Sequence, residues 1–115
     1  GLGRITLRLC DWTGDGRYNL IIGTHCRASV PPGASGQPRL TLQQAAVLLL
    51  ENVGSNGAPH FALPKAICFR GEPIAMGMHT CAPQAVNFTS SGLPDLIVGV
   101  EDGSIVWLPR ADLSW

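Results

Sequence analysis

Charge is scarce in this chain. Asp, Glu, Lys and Arg make up 14% of its 115 residues and cancel to a formal net charge of zero. With only eight Lys and Arg, no basic face can neutralise a row of phosphates, which argues against nucleic acid as a partner. Long apolar runs are lacking too. None approaches the ~20 residues of a helix that crosses a bilayer, so no membrane span is expected. No Cys-x-x-Cys pair occurs among Cys10, Cys26, Cys68 and Cys81, which removes the usual zinc and redox motifs. Two readings of these cysteines stay open: disulfides of an oxidising compartment, in any of three pairings, or small buried apolar side chains. A Gly-x-Ser-x-Gly elbow is missing, and no serine or cysteine stands beside a visible base. His25, His60 and His79 are far apart and in no metal motif, so they read as hydrogen-bonded or exposed loop residues. Nothing here points to catalysis.

What the chain does have is a repeat. Asp11-Trp12-Thr13-Gly14-Asp15-Gly16-Arg17-Tyr18-Asn19-Leu20-Ile21-Ile22-Gly23 returns 76 positions later as Asn87-Phe88-Thr89-Ser90-Ser91-Gly92-Leu93-Pro94-Asp95-Leu96-Ile97-Val98-Gly99. Thr13/Thr89, Gly16/Gly92, Leu20/Leu96, Ile21/Ile97 and Gly23/Gly99 are identical, and several other pairs match in kind. Each copy is a polar loop running into an apolar strand closed by glycine, and each is preceded by a strand candidate, residues 4–9 and 81–86. In 4–9, apolar and polar residues alternate, as in a half-buried strand.

The copies diverge after the closing glycine. Gly99 leads through Glu101-Asp102-Gly103, an expected tight hairpin, into Ser104–Leu108. Gly23 reaches the corresponding run, 46–50, only after the Pro- and Gly-rich residues 27–44, which read as a surface insertion at the same hairpin. A short helix is expected around 40–46, where Gln43, Gln44, Ala45 and Ala46 favour it. Short strand candidates at 60–63 and 66–69 come after a turn-rich link at 51–59. Many short strands between Gly/Pro turns indicate an all-β fold, and a period near 58 residues once the insertion is set aside fits a propeller blade of four short strands better than a sandwich.

The 11–23 stretch resembles the aspartate-rich loop of the FG-GAP/VCBS repeat family, of the form D-x-D-G-D-G-x-x-D-L followed by I-V-G, and 87–99 resembles a degenerate copy. Leu50-Glu51-Asn52-Val53-Gly54 with Ala58-Pro59-His60-Phe61 is similar to the linker of bacterial extracellular members. The resemblance covers residues 1–115 apart from the insertion. It implies an all-β propeller of about two four-stranded blades, completed by identical copies or by the rest of a larger propeller. It also implies an extracellular or cell-surface setting, calcium in the loops, and protein or carbohydrate binding more often than catalysis. Alternative readings are a non-catalytic C-terminal part of a polysaccharide-active lyase or hydrolase, and a self-assembling structural subunit.

Calcium binds six to eight oxygens, and a tight loop offers them at alternate positions. In the first loop these are Asp11, Thr13, Asp15, the Arg17 carbonyl and Asn19. In the second they are Asn87, Thr89, Ser91, the Leu93 carbonyl and Asp95, with one carboxylate instead of two. The competing reading is an Asx-type turn whose carboxylates cap backbone amides. Asn87-Phe88-Thr89 also matches the N-glycosylation pattern. Trp107 and Trp115 could stack on sugars, although Trp107 is expected to lie between blades.

Overall fold

A computed structural model describes residues 5–27, 29–32 and 40–115. Among the described residues the strands, in chain order, are β1 (Thr6–Cys10), β2 (Asn19–Gly23), β3 (Ser29–Val30), β4 (Leu40–Thr41), β5 (Val47–Leu50), β6 (Lys65–Ala66), β7 (Cys68–Phe69), β8 (Glu72–Pro73), β9 (Cys81–Val86), β10 (Asp95–Val100), β11 (Ile105–Leu108) and β12 (Leu113–Ser114). One 3-10 turn, Arg110–Asp112, precedes the last strand. The fold is all-β, every strand pairing is antiparallel, and there is no α-helix among the described residues.

The repeat is real in the register. Strand β1 pairs β2 from Thr6↔Gly23 to Cys10↔Asn19. Strand β9 pairs β10 from Ala82↔Gly99 to Val86↔Asp95, the same pairs 76 positions on. The third strands agree as well: Gly23↔Val47 through Leu20↔Leu50 corresponds to Gly99↔Ile105 through Leu96↔Leu108. The first sheet adds β6 and has the order β1-β2-β5-β6, while the second has the order β11-β10-β9. The expected pair of four-stranded units is therefore one of four strands and one of three. Strand β12 does not supply the missing fourth strand; it joins β7 and β8 in a small third sheet.

The two repeat sheets share one core. Ile21, Val47 and Leu49 from the first sheet cluster with Leu96, Val98 and Leu108 from the second, joined by Trp12, Ile67 and Ile74. Strand β9 lies against β1 and β2. The approach is close enough that a Cβ on Gly23 would fall 2.2 Å from the Cys81 carbonyl oxygen and 2.5 Å from Pro83 Cδ. Only a residue without a side chain fits there.

The insertion departs from expectation in two ways. No helix forms at 40–46: Leu40–Thr41 pairs Ser29–Val30 as a ribbon, and Val47 continues straight into the first sheet. A four-residue run of helix formers is too short to hold a helix in water, and strand pairing satisfies the backbone instead. Nor is the ribbon wholly peripheral. Val30 is buried against Ala46 and Leu48, with Leu42, Ile22 and Ala66 beside them, on the face of the first sheet turned away from the core. Residues 28 and 33–39 lie outside the described residues.

Strand β1 is inverted relative to its pattern. Leu7 and Leu9 point outward, while Thr6 donates its hydroxyl to the Cys81 carbonyl at 3.3 Å and Arg8 Nε donates to Gln84 Oε1 at 2.8 Å. All four cysteines are free thiols. Burial raises Cys81 to about 11, and burial together with the Asp11 charge raises Cys10 to about 11, so both stay protonated at neutral pH.

Candidate metal-binding loops

The two loops join equivalent strands and share a backbone path. Gly14 and Gly16 have φ of 78° and 83°, and their counterparts Ser90 and Gly92 have 52° and 86°. Glycine takes this left-handed region freely, whereas at Ser90 a Cβ must be tolerated.

In the first loop, Asp11 accepts the Gly14 amide on Oδ1 at 2.9 Å and the Gly16 amide on Oδ2 at 3.0 Å. Asp15 Oδ1 accepts the Arg17 amide at 2.9 Å, and its Oδ2 lies 3.4 Å from Arg17 Nε. The Arg17 amide, helped by the Thr13 hydroxyl, holds the Asp15 carboxyl below its ordinary value and outweighs the desolvation that would raise it. The Thr13 hydroxyl is buried and, although close to Asp15, makes no hydrogen bond of ordinary geometry. Asn19 is buried, and its Oδ1 accepts the Trp12 amide at 3.0 Å.

The second loop spends its polar groups differently. Asp95 is fully buried. Its Oδ2 accepts the Thr89 amide at 3.0 Å, and its Oδ1 accepts the Thr89 hydroxyl at 3.0 Å and the Arg110 amide at 2.8 Å. Burial pushes this carboxyl up, but the Arg110 and Thr89 amides, the Thr89 hydroxyl and the Trp107 indole together hold it below its ordinary value. The Ser91 hydroxyl donates to the Leu93 carbonyl at 3.0 Å. Thr89, Ser91, Leu93 and Asp95 thus satisfy one another, and Asn87 is exposed.

Two supports were not visible in the sequence. Arg110 Nη1 donates to the Trp12 carbonyl at 2.8 Å and to the Pro94 carbonyl at 3.3 Å, tying one loop to the other. Its guanidinium lies over the rings of Trp12 at 4.5 Å and Trp115 at 4.7 Å, and the two indoles meet edge-on at 5.6 Å. That contact gives Trp115 a role. The turn at 52–56 braces the first loop from the other side: Asn56 Oδ1 accepts the Tyr18 amide at 2.8 Å and Asn56 Nδ2 donates to the Gly16 carbonyl at 2.9 Å. Buried Asn52 holds that turn through the Gly54 and His60 amides. The turn residues at 51–59 and the linker-like run around them signalled a turn here, but not that it braces the first loop.

No protein-family model, curated protein or solved structure matches the chain. What the site can do must come from its own atoms. Among the described residues no three of His, Cys, Asp and Glu gather around a point. The first loop would have to bind with two carboxylates and neutral oxygens. The remaining candidates are local contacts. Glu101 accepts the amides of Met78 and His79 and pairs with His79 Nδ1 at 2.9 Å, and Asp102 accepts the Ser104 amide at 2.8 Å. Glu101 is thus engaged with the 78–79 backbone. Trp107 does not lie between the two repeat sheets. It is on the outer face of the second, edge-on to Phe88 at 6.5 Å.

Proposed function

We propose that the chain is a non-catalytic, extracellular repeat module of propeller-blade type, whose first loop holds calcium and whose loop edge binds a protein or carbohydrate. The observation that carries the metal assignment is the contrast between the loops. Asp15 is exposed and Asp11 half-buried in loop 11–19, beside a buried Thr13 hydroxyl that makes no hydrogen bond of ordinary geometry. The one carboxylate of loop 87–95 is already enclosed by three donors. A carboxylate oxygen has more than one lone pair, so amide bonds to Asp11 and Asp15 leave capacity for a cation. Asp11, Thr13, Asp15, the Arg17 carbonyl and Asn19 would hold it, and the ion would neutralise two like charges in one tight loop. Ligand charge count tunes calcium affinity, which favours the first loop over the second. The propeller assignment, the setting and the ligand class rest on the sequence resemblance and on the repeat of strand register.

Calcium titration followed by thermal unfolding tests this, because an ion that binds only the native state raises its melting temperature with concentration. The wild type is expected to gain stability with calcium. Asp15→Asn is expected to abolish that gain while leaving the metal-free melting temperature nearly unchanged. Asp95→Asn is expected to lower the melting temperature by the same amount with and without calcium. A wild type indifferent to calcium would leave the loops as hydrogen-bonded turns and remove the metal from the proposal.

A further inference from the structure

The repeat gives each position a twin, and the burial of the twins disagrees in a consistent way. Strand β9 turns Cys81, Pro83 and Ala85 toward the first sheet. Their twins 76 positions earlier are Ile5, Leu7 and Leu9, which are 60%, 52% and 62% exposed. In the first sheet, Val47 and Leu49 face the core and are fully buried, while their twins Ile105 and Trp107 are 72% and 49% exposed. Buried Trp12 has exposed Phe88 as its twin. A Cβ on Gly23 would strike β9, whereas one on its twin Gly99 would meet nothing nearer than Ala82 at 3.9 Å. One end of the molecule therefore repeats the surface that β9 presents, and the other end repeats the surface that receives β9.

We infer that these two faces are the complementary halves of one interface between copies of this chain. Strand β1 of a second copy seats on β9 and β10, as β9 seats on β1 and β2 within the chain. The inversion of β1 supports this: its apolar row points away from its own core, and clustered exposed apolar side chains mark association sites. The β3–β4 ribbon sharpens it. Val30 and Leu42 cover the part of the outer face near β2, β5 and β6, leaving the β1 row exposed. The strand that makes the internal contact is the one whose twin is left free. Such an interface joins unlike surfaces, so it propagates head to tail and ends in a ring or a filament rather than in a two-fold dimer. It requires no calcium, and so stands or falls apart from the metal assignment.

Sedimentation of wild type, Leu7→Arg, Ile105→Arg and their equimolar mixture, with and without chelator, tests it. Both positions are exposed in the single chain, and circular dichroism checks that each variant keeps the wild-type fold. Wild type is expected to form species larger than a dimer at micromolar concentration. Each variant alone is expected to be a monomer, since each lacks one half of the contact. The mixture is expected to form a dimer and nothing larger, because one intact head meets one intact tail. A wild type that stays monomeric, a single variant that still associates, or a mixture that fails to recover the dimer would each overturn the inference.

Discussion

The two repeats follow the same backbone path to opposite ends. Both loops turn through left-handed residues at the same two positions, and both lead into a strand held in the same register. Yet the first repeat places its carboxylates on the loop, Asp15 exposed and Asp11 half-buried, and a neutral amide, Asn19, at the buried strand entry. The second places its single carboxylate, Asp95, at that buried entry and leaves neutral groups outside. A charge at the entry is consumed by the fold, since three donors surround it. A charge on the loop meets only the amides and the guanidinium beside it, apart from the nearby Thr13 hydroxyl. The position of a carboxylate within a shared loop thus decides whether the fold encloses it or leaves it on the loop, bonded to nearby amides.

The largest expected effect breaks the second repeat. Asp95→Ala leaves the Thr89 and Arg110 amides without an acceptor inside the protein and should cost about 4 kcal/mol, measured by denaturant unfolding. The pH dependence follows from the same contacts. The folded-state value of Asp95 lies below its ordinary 3.8, so its stabilisation is complete above that value and is lost as pH falls through the folded-state value. The gap between wild type and Asp95→Ala should therefore narrow only below pH ~4. Next comes a contrast between twins. Gly23→Ala drives a methyl into the β9 backbone and should cost about 3 kcal/mol, while Gly99→Ala should cost well under about 1 kcal/mol in the single chain. Equal losses would mean that the two sheets are not packed as unlike halves. The smallest effect is a gain. Ser90→Gly relieves the left-handed strain that Gly14 avoids and should raise stability by about 1 kcal/mol, seen as a higher melting temperature.

Most strands, the register of the repeat and the site of the insertion were legible in the sequence. They depend on alternation and on apolar runs between turns, signals that a short window carries. Other things were not, among them the strand expected at 60–63, where only Phe61 makes an isolated bridge to Asn52. The helix expected at 40–46 lost to a strand pairing with Ser29–Val30, a partner that local propensity does not include. The facing of β1 contradicts its own alternation, because period two shows that one side is apolar without saying which side meets the core. The supports of the loops come from Asn56 and Arg110, which reach Tyr18 and Trp12 across 38 and 98 residues. No spacing rule joins residues so far apart. The loop oxygens were read from spacing, and the structure adds which of them are spoken for. Asp95, Thr89, Ser91 and Leu93 bond within their own loop or to Arg110, whereas Asp11 and Asp15 engage nearby backbone, Arg17 and, for Asp15, the adjacent Thr13 hydroxyl.

The Arg110 clasp has a consequence for the order in which this molecule can be made. During synthesis the first loop leaves the ribosome long before Arg110, and its Trp12 carbonyl then has no guanidinium to accept from. Closing a contact across 98 residues carries a large entropy cost, and topologies rich in such contacts fold slowly. Until the turn at Arg110–Asp112 arrives, the Trp12 ring lacks the guanidinium that lies over it. Chains cut short of that turn are expected to be more exposed to the sticking that apolar surface promotes.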